Sequence, residues 1–241
     1  MHRCWLDTDT PLSVSGVFML SREESDHLLK SLRMRPGDAV QIIAARRLYE
    51  GEIAAADGGI VNVRVRRELP SPEPAVRVTL LQGLPKADKL ELIVQKATEL
   101  GVYRIQPVEM ARSVARITDK EEQKRERLAR IALEAAKQAG RAHVPQVLGA
   151  VRLEEALKTL RGTVYVAWEE AASLRLSQAL AQNRPEEITL VIGPEGGIAA
   201  EEIVRLEAAG AKPVTLGPRI LRTETAGLCA LAVVMAAYGE M

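Results

Sequence analysis

Three stretches in the C-terminal half carry residues suited to chemistry: "YVAWEE" (165–170), "VIGPEGG" (191–197) and "TLGPRILRTETA" (215–226). Each closes an apolar run of β character. The last two set Gly-Pro directly after the run, which turns the chain out of a sheet into a defined loop. A glycine-rich turn between strand and helix suggests a phosphate cradle, and a P-loop requires G-x-x-x-x-G-K-[ST]. Here Glu195 occupies the turn and no lysine–hydroxyl pair follows, so a nucleotide hydrolase is a poor reading. The dinucleotide pattern G-x-G-x-x-G does not match either. Gly193-Pro194-Glu195-Gly196-Gly197 reads equally as a tight turn with glycines at positive φ. Arg219, Arg222 and Glu224 stand at the mouth of an almost wholly apolar helix, "TAGLCALAVVMAAYG" (225–239). They are either a structural Arg–Glu pair with Thr223 or Thr225 as cap, or charges that serve a ligand.

These stretches need elements to position them. In the second half, "VRVTLLQ" (76–82), "VYRIQPV" (102–108), "TVYVAW" (163–168), "EITLVI" (187–192) and "PVTL" (213–216) read as strands. Between them lie helical patterns. Leu90, Ile93, Val94, Ala97 and Leu100 recur at helical spacing before a stop at Gly101. A long helix opens with the box Thr118–Glu121 and buries Leu128, Ile131, Ala132, Ala135 and Ala139. Further helices start near Ser173, Ala199 and Thr223. Alternating strands and helices predict an α/β fold with a largely parallel sheet covered on both faces. Ligands in such sheets sit beyond the carboxyl ends of the strands, so three neighbouring strand ends would share one crevice.

The first 70 residues read differently. Short β segments fall at 16–20, 39–44, 48–56 and 59–69, the last alternating Val61, Val63 and Val65 with Asn62, Arg64 and Arg66. One helix, with Ser21 and Glu24 as a capping box, interrupts them. A small β-barrel fits. Pro70, Pro72 and Pro74 make a stiff connector, so the expected organisation is a domain over 1–70, a linker over 71–75 and a second domain over 76–241.

Composition excludes several classes. The 241 residues are 47% hydrophobic and 27% charged, ordinary for a globular chain. The longest uncharged stretch is too short for a membrane span, and no signal-peptide core opens the chain, so a cytoplasmic location is expected. Cys4 and Cys229 are far apart, and His2, His27 and His143 are scattered, so neither a disulfide scaffold nor a metal is expected. A formal net charge of +1 does not announce nucleic acid, and residues 1–73 hold ten Lys+Arg against eleven Asp+Glu. Any RNA contact rests on local cations.

"IGPEGG" followed by "LGPRILRTETA", with "KADKLELIVQKATELGV", "EAAKQAGRAHVPQV" and an N-terminal "HLLKSLRMRPGD", resembles the RsmE family of SPOUT-class RNA methyltransferases over nearly the whole chain. Lys137 is a small departure from that pattern. The resemblance implies a trefoil-knotted α/β domain preceded by a PUA-like RNA-binding barrel, a homodimer, and S-adenosylmethionine as cofactor. It implies methylation at N3 of a uridine in 16S ribosomal RNA of the 30S subunit. Expected cofactor contacts are Trp168, Glu169, Ile192, Gly193, Pro194, Glu195, Gly196, Gly197, Leu216, Gly217, Ile220, Leu221 and Arg222. Glycines admit close backbone approach, and Leu216, Ile220 and Leu221 supply apolar walls. Arg222 is the expected stabiliser of charge on the uracil carbonyls, with Glu224 as base or as orienting partner. Expected RNA contacts are Arg3, His27, Lys30, Arg33, Arg35 and Arg141. A tRNA or ribose methyltransferase, or an RNA-binding assembly factor without cofactor, stay open as alternatives.

Overall fold

A computed structural model describes residues 1–86, 88–170 and 174–241. The chain divides into two compact units, 1–73 with 140–143, and 74–139 with 144–241. The proline-rich stretch therefore splits at Glu73/Pro74, and a short segment from the second half, 140–143, packs within the first unit.

In the first unit, β1 (His2–Trp5), β2 (Val17–Met19), β3 (Ala39–Ala44), β4 (Arg47–Asp57) and β5 (Ile60–Leu69) pair in the order β1-β3-β4-β5-β2. The four expected β segments are present. The fifth, β1, pairs parallel to β3 and carries no clean alternation to announce it. Val61, Val63 and Val65 point into the core with Ile42, Tyr49 and Ile53, while the intervening positions face outward. Helix α1 (Arg22–Asp26) starts at Ser21, whose hydroxyl accepts from the Glu24 N–H at 3.2 Å. The Glu24 carboxylate accepts from the Trp5 N–H, tying this helix to β1. The chain continues as a π-helical turn over His27–Ser31.

The second unit is one parallel sheet. Its strands are β6 (Arg77–Gly83), β7 (Arg104–Glu109), β8 (Gln146–Val147), β9 (Val151–Arg152), β10 (Thr163–Ala167), β11 (Glu187–Ile192) and β12 (Lys212–Val214), in the order β12-β10-β11-β6-β7-β8 with β9 also on β7. Successive side chains of a strand point to opposite faces, and here both faces are filled. Val78, Leu80, Ile188, Leu190 and Ile192 enter one core. Leu81, Val164, Val166 and Val191 enter the other. That double burial is why these strands read as continuous apolar runs.

On the first face lie α2 (Lys89–Glu99), α3 (Glu121–Ala139), α5 (Leu176–Gln182) and α7 (Thr223–Tyr238). On the second lie α4 (Leu153–Leu157) and α6 (Ala200–Ala208). Helix α2 buries Leu90, Ile93, Val94 and Ala97 and ends at Gly101, whose φ is +96°. Helix α3 begins at Glu121, with Glu121 Oε1 accepting from the Thr118 N–H at 3.4 Å. Its buried stripe is Leu128, Ala132, Ala135 and Ala136; Ile131 is half-buried and Ala139 is exposed, so the face is turned by about one residue from expectation. The expected start at Ser173 lies outside the described residues, and α5 runs from Leu176. No helix among the described residues is long and apolar enough to cross a membrane, and no group of potential metal ligands occurs among them.

A cavity at three adjacent strand ends

Strands β12, β10 and β11 are neighbours, so the loops that follow them converge. Between these loops lies a cavity of about 840 Å³. Trp168 and Glu169 border it from the end of β10. Ile192, Gly193, Pro194, Glu195 and Gly197 border it from β11 and its turn. Leu216, Gly217, Ile220, Leu221 and Arg222 close it from the loop after β12. All but one of the expected cofactor contacts therefore line a single space. The exception is Gly196. A Cβ there would stand 2.9 Å from the Arg112 Cβ, and the Arg112 Nη1 donates to the Gly196 carbonyl at 3.2 Å, so Gly196 faces the loop after β7.

One hydrogen bond joins the turn to the last helix, and a second joins that helix to β6. The Thr223 hydroxyl donates to the Gly193 carbonyl at 2.6 Å and accepts from Gln82 Nε2 at 2.8 Å. Thr223 and Gln82 are buried, so this chain from β6 through α7 to the β11 turn is shielded from water. Gly83, at the end of β6, packs directly under the same turn. A Cβ on it would meet the Pro194 nitrogen at 2.5 Å and the Gly193 carbonyl carbon at 2.8 Å. Backbone cannot rotate away, so Gly83→Ala is expected to destabilise the second unit by about 1–3 kcal/mol in urea unfolding. Gly149→Ala, whose added methyl meets nothing within 4 Å, is the control and should be nearly neutral. A Gly83→Ala loss no larger than the control's would contradict this packing.

The charges are arranged in a way the motifs did not announce. Glu195 Oε1 accepts from the Lys86 N–H at 3.0 Å and lies 3.1 Å from Lys89 Nζ. The same ammonium lies 3.2 Å from Glu224 Oε2. The ion-pair partner of Glu224 is thus Lys89, where an Arg222–Glu224 pair was the expected structural alternative. The carboxylate of Glu195, and then that of Glu224, beside its ammonium push Lys89 above the ordinary lysine value. Glu224 is held below the ordinary glutamate value by its own backbone N–H, then by Lys89, against some desolvation. Desolvation acts most strongly on Glu195 and would raise it, but the Lys86 N–H, its own backbone N–H and Lys89 together leave it lowered. At neutral pH the three are two carboxylates and one ammonium. Arg222 is the N-cap residue of α7, makes no side-chain cap bond, and presents an exposed guanidinium to the cavity.

The residues expected to meet RNA fall into two groups. His27, Lys30, Arg33 and Arg35 are exposed along the π-helical turn and the loop after it. Lys30 pairs with Asp26 at 2.9 Å, and the His27 ring lies 5.0 Å from that of His2. Arg3 and Arg141 are engaged within the fold. Arg3 donates to Gln41 Oε1 at 2.8 Å and to the Gly140 carbonyl. Arg141 is 5% exposed and donates to Glu73 Oε2 at 2.6 Å, so it is a buried structural cation. The strand arginines Arg47, Arg64, Arg66 and Arg67 pair across strands with Glu68, Glu52, Glu52 and Glu50, the solvated-surface alternative.

A family model described as RNA methyltransferase domain matches residues 71–235. Ribosomal RNA small subunit methyltransferase E of Bacillus subtilis (strain 168) is 35% identical over 97% of this chain and 96% of its own. The protein of the same name from Mycobacterium bovis is 34% identical over 94% of this chain and 88% of its own. A crystal structure of ribosomal RNA small subunit methyltransferase E from Neisseria gonorrhoeae bound to S-adenosyl methionine superposes with a TM-score of 0.81 and 28% identity. It covers 99% of this chain and 98% of that one.

Proposed function

The chain belongs to the RNA methyltransferase family that includes ribosomal RNA small subunit methyltransferase E, and on that premise we propose methylation of N3 of a uridine in 16S ribosomal RNA, with S-adenosylmethionine as cofactor. The observation that carries the reading is the cavity at the β10, β11 and β12 ends, which holds twelve of the thirteen expected cofactor contacts. Its volume falls in the range of small-molecule sites, roughly 300–1,000 Å³.

The residues present fit the cofactor. Ile192, Leu216, Ile220 and Leu221 offer apolar walls. Gly217 has φ +125° and nothing within 4 Å of where a Cβ would stand, which leaves backbone open to a ligand. A cofactor without phosphates has no use for a lysine-bearing loop, which accounts for the sequence of the β11 turn. When bound, S-adenosylmethionine supplies a methyl group carried on a cationic sulfur. The protein's part is then to hold two reactants in line and exclude water. Arg222 stabilises the charge that spreads onto the uracil carbonyls as N3 loses its proton. Glu224 is a carboxylate kept ionised by its own helix N-terminus and Lys89, which makes it a weak base and suits it to orienting the first turn of α7.

The finer architecture belongs to the same proposal. A trefoil knot is supported by the path of the chain: β12 pairs on the far side of β10 from β11, yet the next helix bonds back to the Gly193 carbonyl. A PUA-like RNA-binding fold in the first unit is supported by its mixed five-stranded sheet and the exposed His27, Lys30, Arg33 and Arg35. A homodimer is supported by α7, apolar all round yet only half-covering Cys229, Ala232 and Val233. A cytoplasmic location follows from the substrate. To test the function, the protein is incubated with methyl-labelled S-adenosylmethionine and 30S subunits or 16S rRNA, and the labelled nucleoside is mapped. Label at N3 of one uridine is expected; label in tRNA or on a ribose would sink the assignment.

A further inference from the structure

Lys89 is the first residue of α2, where a cation faces the positive end of the helix dipole. The first turn of a helix favours acids, and a local rule broken without visible local gain points to a task elsewhere. The task is visible in the ion pairs: one ammonium 3.1 Å from Glu195 Oε1 and 3.2 Å from Glu224 Oε2. Glu195 belongs to the turn after β11 and Glu224 to the first turn of α7, the two segments that wall the cavity from opposite loops. Lys89 itself lines that cavity. All three side chains are less than one-third exposed, at 31%, 24% and 16% for Lys89, Glu195 and Glu224.

We propose that Lys89 is a positioning residue of the methyltransferase, an electrostatic clamp that holds the β11 turn and the start of α7 at the separation the cofactor requires. The inference rests on the reading of the cavity as the S-adenosylmethionine site. Without the ammonium, the two carboxylates lose the one cation in contact with both; Arg222 still acts on Glu224, more weakly than Lys89 does. Glu195 keeps the Lys86 N–H and Glu224 keeps its helix N-terminus, so neither has reason to leave, and their repulsion drives the loops apart. Arg222 lies two residues before Glu224 and is carried with it. The carboxylates have lowered pKa values, so their contribution is complete above about pH 4.3 and is lost as pH falls below that. Lys89 has a raised pKa, so its contribution is complete below about pH 10.4 and is lost as pH rises beyond. The clamp is fully charged at neutral pH.

The test compares wild type, Lys89→Met, Lys89→Arg, Glu195→Gln and the double variant Lys89→Met/Glu195→Gln. Cofactor affinity is read by titration calorimetry, and kcat and KM on rRNA across pH. Lys89→Met should weaken S-adenosylmethionine binding by about tenfold and lower kcat as well, with Lys89→Arg recovering most of both. The double variant should bind more tightly than Lys89→Met alone, because removing one carboxylate removes the repulsion. Wild-type affinity in Lys89→Met, or strict additivity of the two single changes, would overturn the clamp. So would loss of one limb of the pH profile at unchanged affinity, which would make Lys89 a proton-transfer group. Should Lys89→Met fail to fold, Lys89→Arg decides alone: affinity within about twofold of wild type is expected, and a tenfold loss with the charge retained would overturn the clamp. Absence of cofactor binding in the wild type would instead defeat the reading of the cavity.

Discussion

Arg222→Ala is expected to lower kcat by about 10²–10³-fold while changing cofactor affinity by no more than about twofold. The guanidinium makes no cap bond to its own helix and faces the cavity. Its donors are therefore available to a group that enters from solvent. Charge that develops on an acceptor is stabilised most by donors already in place, since nothing must reorganise at the moment of reaction. Arg222→Lys keeps the charge but loses the planar fork, and should fall between wild type and alanine. The measurements are single-turnover methyl transfer and calorimetric titration with S-adenosylmethionine. A parallel loss of affinity and turnover would move Arg222 from the reaction to the cofactor pocket.

How much of this was legible in the chain depended on the range of the interaction that carries it. Strands β6, β10 and β11 were legible because burial on both faces writes an unbroken apolar run into each. The crevice was legible because Gly-Pro follows both β11 and β12. Strand β1 was not: it lies at the sheet edge, and of its four residues only Cys4 is fully buried. Burial and the nearby Glu24 push that thiol up to about 12, so it acts as a small apolar side chain. The α3 stripe was misjudged by one residue because alanines on adjacent positions are equal candidates for the core. Gly196 was read with its neighbours as a cofactor glycine, yet what it must avoid is Arg112, more than eighty residues earlier in the chain.

Charges were the least legible of all, since a sequence shows a charge but not its partner. Arg141 looked like an RNA contact because it follows a long helix in a turn; burial and Glu73 give it a structural role instead. Lys89 sat in plain view within a stretch used only for its apolar spacing and its resemblance. Its one local signal was its place at a helix N-terminus, the wrong end for a cation. Glu195 first counted against a phosphate cradle. In the folded chain the same carboxylate is fixed by a backbone N–H from the loop after β6 and an ammonium from the start of α2, so it organises the cavity wall.

Glu73 looked like part of a spacer between prolines, and the structure makes it an anchor. Its Oε1 accepts from the Ala142 N–H at 2.7 Å and the His143 N–H at 3.0 Å, and its Oε2 from Arg141 at 2.6 and 3.2 Å. One carboxylate therefore satisfies two backbone donors and a guanidinium that is 6% exposed. Ala142 is packed in turn with Ile43, Leu48 and Trp5. Removing the carboxylate takes a charged acceptor from two backbone donors and from a nearly buried guanidinium at once, and each lost bond costs about 1–3 kcal/mol. Glu73→Ala is thus expected to destabilise the first unit by about 3–5 kcal/mol. The two tryptophans report separately, Trp5 on this unit and Trp168 on the other, so a Trp168→Phe background lets urea unfolding be followed at Trp5 alone. Glu73→Gln keeps an acceptor for the two N–H groups and should recover part of the loss. A Glu73→Ala cost below about 1 kcal/mol, the median worth of an exposed pair, would show that 140–143 is held by its apolar contacts and that the carboxylate is incidental.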